Sequence, residues 1–162
     1  MLKANDYNKD YYTTQLEEKL SRQSEQFSHS QTQQQALLAI SELGSGAEDL
    51  DKFYRSLHTI IANAFYAKNF YIALKEANNK NLQLVYFIDQ LDDKHTDVTS
   101  SNRITLSNNG LSSYLFGLNT ALLLSTDEIV ELTKNNSVQV SGPLAHSWLG
   151  APLITYGNTI GL

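Results

Sequence analysis

Cysteine is absent from the 162 residues, which excludes a disulfide framework, thiolate metal sites, cysteine nucleophiles and thioether-linked chromophores. No apolar run approaches the roughly 20 residues needed to span a bilayer. The opening Met1-Leu-Lys-Ala-Asn-Asp6 carries no secretory hydrophobic segment. A cytoplasmic protein, or a cytoplasmic piece of one, is the expectation. The net charge is only −5 and no basic stripe interrupts the sequence, so nucleic acid is not an expected partner. Neither a Gly-x-Ser-x-Gly elbow nor a glycine-rich phosphate loop occurs, and no catalytic residue is assigned; an enzyme is not expected. His29, His58, His95 and His146 are scattered without His-x-His or His-x-x-x-His spacing, and Asp89, Asp92 and Asp93 lack the pattern of a calcium loop. Neither a metal nor another cofactor is therefore expected.

Of the residues present, 41% are hydrophobic and 18% charged, a balance that suits one globular domain plus an extension. Residues 1–13 are polar and without period, and are expected to be disordered or frayed. Thr14–Leu43 contains no proline or glycine and reads as one long helix. Leu16, Leu20, Gln23, Phe27, Ser30, Gln34, Leu37 and Ser41 follow the 4-3 spacing of a coiled-coil seam. Polar residues hold half of that seam, so two readings stand. One is a solvated linker whose end, Ala36-Leu-Leu-Ala-Ile40, docks on the domain. The other is a parallel homodimer helix that carries a signal. After the Gly44-Ser-Gly-Ala47 break, residues 44–162 form the second region. Leu50, Phe53, Tyr54, Leu57, Ile60, Ile61, Ala64 and Phe65 predict an amphipathic helix over about Asp49–Tyr66. His58 reads as a boundary residue of that helix.

Asn69–Lys75 and Leu82–Ile88 predict a hairpin with apolar groups on both faces. Simple alternation puts Phe70, Ile72 and Leu74 opposite Tyr71 and Ala73, and groups Leu82, Leu84, Tyr86 and Ile88. A long loop, 89–109, contains a short β-like run at Arg103–Leu106. A short helix over Gly110–Gly117 has Leu111, Tyr114, Leu115 and Leu118 on one face. Leu122–Leu124 reads as a buried strand. Ser125-Thr-Asp-Glu128 is a capping box that opens a helix over Asp127–Lys134, closed by Asn135-Asn136. The apolar runs Trp148–Thr155 and Thr159–Leu162 flank Tyr156-Gly157-Asn158 and predict a second hairpin inside a sheet, with a bulge or an exposed side at Pro152. Its last run stops after four residues where strands average about five or six, so the sequence is expected to end within an element of a longer protein.

This order predicts an α+β fold on an antiparallel sheet. Leu50-Asp-Lys-Phe-Tyr-Arg-Ser-Leu-His58, Lys68-Asn-Phe-Tyr-Ile-Ala-Leu74, Gly110-Leu-Ser-Ser-Tyr114 and Ser147-Trp-Leu-Gly-Ala-Pro-Leu153 together resemble a bacterial GAF domain. The resemblance covers about residues 36–162 and is to the subset that precedes diguanylate cyclase (GGDEF) domains. It implies a PAS-like antiparallel sheet, helices on one face, a small-molecule pocket on the other, and a cytoplasmic, dimeric regulator of a C-terminal output domain in cyclic-di-GMP signalling. The Asn-Lys-Phe-Asp-Glu signature of cyclic-nucleotide-binding members is missing. Members that reduce methionine sulfoxide or attach bilins need the cysteine this chain lacks. On that frame the candidate ligand-binding residues are Tyr71, Tyr86, Tyr114, Leu115, His146 and Trp148. Aromatic walls with polar tips suit a small ligand, and the same spacing equally suits plain core. A GAF-like interaction module with a filled core is the alternative to a receptor.

Overall fold

A computed structural model describes residues 3–44, 49–76, 81–90, 104–140 and 142–162. Residues 77–80, Asp92, Asp93, His95 and Arg103 lie outside the described residues, with most of the 89–109 loop. Among the described residues the fold is α+β, with four helices, a five-stranded antiparallel sheet and a two-stranded sheet. The chain divides into two compact units, Met1–Ala67 and Lys68–Leu162. The division follows Ala67, whereas the composition break lies at Gly44.

The first unit is helical. Helix α1 spans Lys3–Gly44, 42 residues, or about 63 Å at 1.5 Å per residue. It begins well before Thr14, correcting the expectation of a frayed start: no proline or glycine interrupts this stretch. Along α1, Thr32, Ala36, Ala39, Ile40 and Leu43 are half-buried, whereas Leu16, Leu20, Phe27 and Leu37 are exposed. Helix α2 spans Leu50–Ala64, and α1 and α2 touch. The Asp49 carboxylate accepts from the backbone N–H groups of Asp51 (3.0 Å) and Lys52 (3.2 Å), satisfying two donors that the helix cannot. These bonds, with the nearby Lys52 ammonium, hold the Asp49 carboxyl below its usual pKa, the Lys52 backbone bond being the largest cause. His58 Nε2 lies 2.8 Å from the Ala67 carbonyl oxygen, so that nitrogen donates and ties down the residues after the helix.

In the second unit, β1 (Phe70–Lys75) pairs antiparallel with β2 (Leu82–Ile88), and β3 (Ile104–Thr105) joins the outer side of β2. The register shifts once: Ile72 opposes Tyr86 while Ala73 opposes Leu84. Val85 is therefore the extra residue of a bulge. The bulge corrects the simple alternation. Leu82 and Leu84 share the face of Tyr71 and Ala73, but beyond Val85 it is Phe87, not Tyr86, that continues it. Tyr86 stacks edge-on against Phe70, centroids 6.0 Å apart, on the opposite face.

Helix α3 (Leu111–Leu118) ends at Asn119 in the left-handed region, φ 58°. Strand β4 (Leu122–Ser125) leads directly into α4 (Thr126–Lys134) through the predicted capping box. The Ser125 hydroxyl accepts from the Glu128 N–H, and the Glu128 carboxylate accepts from the Ser125 N–H at 2.7 Å. Beyond α4, β5 (Ser147–Gly150) pairs with β4 as the separate two-stranded sheet. Only β6 (Leu153–Thr155) and β7 (Asn158–Gly161) enter the main sheet, whose order is β3-β2-β1-β7-β6. The single strand expected over Trp148–Thr155 is thus two strands in two sheets. Pro152 has no N–H to donate and restricts Ala151, so the ladder breaks there. β6 is also the outer edge, with Ile154 51% exposed, whereas an interior strand was expected.

The two hairpins nevertheless lie side by side in one layer. Leu74 opposes Gly161, and Ala73 and Leu162 exchange both backbone hydrogen bonds at 2.8 Å.

The turn joining β6 to β7 places Tyr156 at φ 46° and Gly157 at φ 76°, both left-handed. Such a two-residue turn matches the twist of the strands, but a bulky side chain at positive φ is strained. Tyr156 is fully exposed and gains nothing from packing in return. Tyr156→Asn is expected to stabilise the protein by about 1 kcal/mol. Urea denaturation checks this; an unchanged or lower midpoint would contradict the left-handed turn.

Candidate functional site

The face of the main sheet that carries Tyr71 and Ala73 is where the sequence places a ligand. In the structure it is a core. Ala73, Leu82, Leu84, Leu115 and Leu162 are buried together, with Tyr71, Phe87, Leu106, Phe116, Leu122 and Trp148 packed around them. Three candidate residues meet there. Leu115, on the inner side of α3, is wholly buried. Trp148, on β5, lies over Gly150, where an added Cβ would come within 2.6 Å of both the indole ring and Leu115 Cδ2. The Tyr71 hydroxyl lies 2.8 Å from Ser112 Oγ in the first turn of α3, fastening that helix to β1. Burial raises the Tyr71 pKa, opposed by the hydrogen bonds to Ser112 and to Trp148. A phenol that is half-buried against a core, neutral and hydrogen-bonded is a satisfied group.

The other three candidates are elsewhere. Tyr86 is carried to the opposite sheet face by the Val85 bulge. His146 is exposed just before β5, and its backbone carbonyl, with that of Ala145, accepts from the Thr126 hydroxyl. Tyr114 lines a separate, solvent-open cleft of about 250 Å³ with Leu122, Leu124, Glu128, Glu131, Leu132 and Asn135.

That cleft escaped the sequence reading. Four of its residues recur at 128, 131, 132 and 135, the i, i+3, i+4, i+7 pattern of one helix face, and this was the available signal. The cleft's two carboxylates differ. Glu128 is engaged in the capping box, and the Ser125 backbone bond, followed by the Ser125 side chain, lowers its pKa. Glu131 makes no described hydrogen bond or ion pair through its carboxylate. Among the described residues no three His, Asp or Glu side chains gather as a metal site, and no helix is long and apolar enough to cross a membrane. Comparison with protein-family models, curated proteins and solved structures returned no match.

Proposed function

We propose that this chain is a cytoplasmic regulatory module of the GAF type, dimeric through α1, that acts on an output domain. By the resemblance, that output domain is a C-terminal diguanylate cyclase. The carrying observation is the row Leu16, Leu20, Phe27 and Leu37. Each is about two-thirds exposed or more, and all sit at 4-3 spacing along one uninterrupted helix. A second copy laid parallel would cover this seam, with Gln23, Ser30, Gln34 and Ser41 as polar layers that favour one register over another. The half-buried row from Thr32 to Leu43 is distinct from the seam, so the docked end and the dimer seam are compatible. The finer GAF/PAS-like reading is supported by the two hairpins sharing one sheet, with β1 beside β7.

Between the two versions of such a module, the packing of Tyr71, Leu115 and Trp148 favours a filled core over a receptor pocket on that sheet face. A receptor remains supported at a different place, the Tyr114 cleft.

Light scattering at high protein concentration is expected to return twice the chain mass, and Leu20→Lys combined with Phe27→Lys to return the monomer. A monomeric parent protein would overturn the reading.

A further inference from the structure

We infer that the cleft beneath α4 binds a small organic cation, an amine on a short apolar stem. The inference deepens the receptor version of the proposed function and rests on that reading for any signalling consequence, though not for binding. The cleft is built from α3, β4 and α4, and none of its lining residues belongs to the main sheet. Its floor is apolar: Leu124 is buried, and Leu122 and Leu132 are half-buried. Such a floor takes an alkyl stem and gives nothing to a strongly hydrated ligand. The walls supply what an ammonium group needs. Among the described residues the Glu131 carboxylate has no hydrogen-bond or ion-pair partner, Asn135, which caps α4, stands one turn further on, and Tyr114 supplies an aromatic ring, a group that attracts cations.

The charge balance points the same way. Asp127, Glu128 and Glu131 put three carboxylates on α4 against the single Lys134, which is not among the lining residues. Among the described residues no lining cation offsets these carboxylates for an anion. At about 250 Å³ the cleft is smaller than the roughly 300–1,000 Å³ of drug-sized sites, so a ligand of a handful of heavy atoms fits. Glu131 is exposed, and its ion pair with the ligand is correspondingly modest.

The test is a titration of the full chain with n-butylammonium chloride, followed by amide chemical shifts in ¹H–¹⁵N NMR, with 1-butanol as the neutral counterpart. Saturable shifts are expected at Leu122, Leu132 and Asn135. Glu131→Gln, an exposed and isosteric change, is expected to weaken butylammonium roughly two- to fivefold, toward the affinity of butanol, while leaving butanol binding unchanged. Absence of saturation in the high-millimolar range, equal binding of butanol and butylammonium, or an unaltered affinity in Glu131→Gln would each overturn the inference. Light scattering of the same samples separates this outcome from failure of the dimer reading, because the α1 seam contributes no residue to the cleft.

Discussion

Gly161→Ala should destabilise the α+β unit by about 3 kcal/mol, the upper part of the range for forcing extra volume into a packed site. The reason lies in backbone proximity. Gly161 opposes Leu74 in the β1–β7 pair, and a Cβ there would overlap the Ala73 carbonyl oxygen and stand 2.8 Å from Leu74 Cδ2. The carbonyl cannot retreat, because it accepts the Leu162 N–H that joins the two hairpins. A side chain could rotate away from such an intrusion; a hydrogen-bonded peptide group moves only with its strand. Gly117→Ala is the control, since a Cβ in that part of α3 meets open space. It should be neutral or stabilising by up to about 1 kcal/mol, because alanine has less backbone freedom to lose in a helix. Urea denaturation followed by hydrogen exchange at β1 and β7 distinguishes the pair. Equal effects of the two substitutions would mean that the hairpins do not share a sheet.

Much of this fold was legible because local rules act locally. The Ser125–Glu128 capping box needs four consecutive residues, and it forms as predicted, with α4 starting at Thr126, one residue ahead of the expected Asp127. Asp49 caps α2 for the same reason, and β2 begins and ends where its apolar run does. The failures come where a distant partner decides. The Val85 bulge is a property of the β1–β2 pair and leaves no mark in the residues of β2, yet it exchanges the faces of Tyr86 and Phe87. Trp148–Thr155 is continuous in hydrophobicity, and Pro152 marks its weak point. That β5 leaves the main sheet altogether follows from the availability of β4 as a partner.

The candidate site suffered from the same limit. Aromatic residues on a sheet face serve a core and a pocket equally well, and composition cannot say whether Leu115 and Trp148 close over Tyr71 or stand apart from it. The closure depends on Gly150, whose missing side chain leaves room for the indole. Of the six residues, sequence reasoning brought together three that do meet. It missed the α4 face because a short helix with a clear capping function gave no reason to look for a second role.

Leu115→Ala is expected to cost about 3–4 kcal/mol, and it tests whether that sheet face is core or pocket. Leu115 is fully buried among Ala73, Leu82, Leu84 and Leu162, so truncation removes its transfer free energy and leaves a void among neighbours fixed in two sheets and a helix. Collapse of Trp148 into the gap would relieve part of this. The indole is held beside Gly150 and packs on the same core as Tyr71, whose hydroxyl engages Ser112, so the rearrangement would press on a satisfied polar group as well. The cost should therefore sit in the middle of the measured range for buried leucines rather than at its foot. A receptor predicts otherwise. Where a side chain lines a cavity already open to solvent or ligand, its truncation merely enlarges the cavity, and the stability change falls below about 1 kcal/mol. Denaturation of the parent and variant, with tryptophan fluorescence reporting on the single indole, gives the answer directly. A large loss with red-shifted emission marks a closed core and leaves the α4 cleft as the place for a ligand. A small loss with unchanged emission would return the pocket to the front of the sheet, among Tyr71, Leu115 and Trp148.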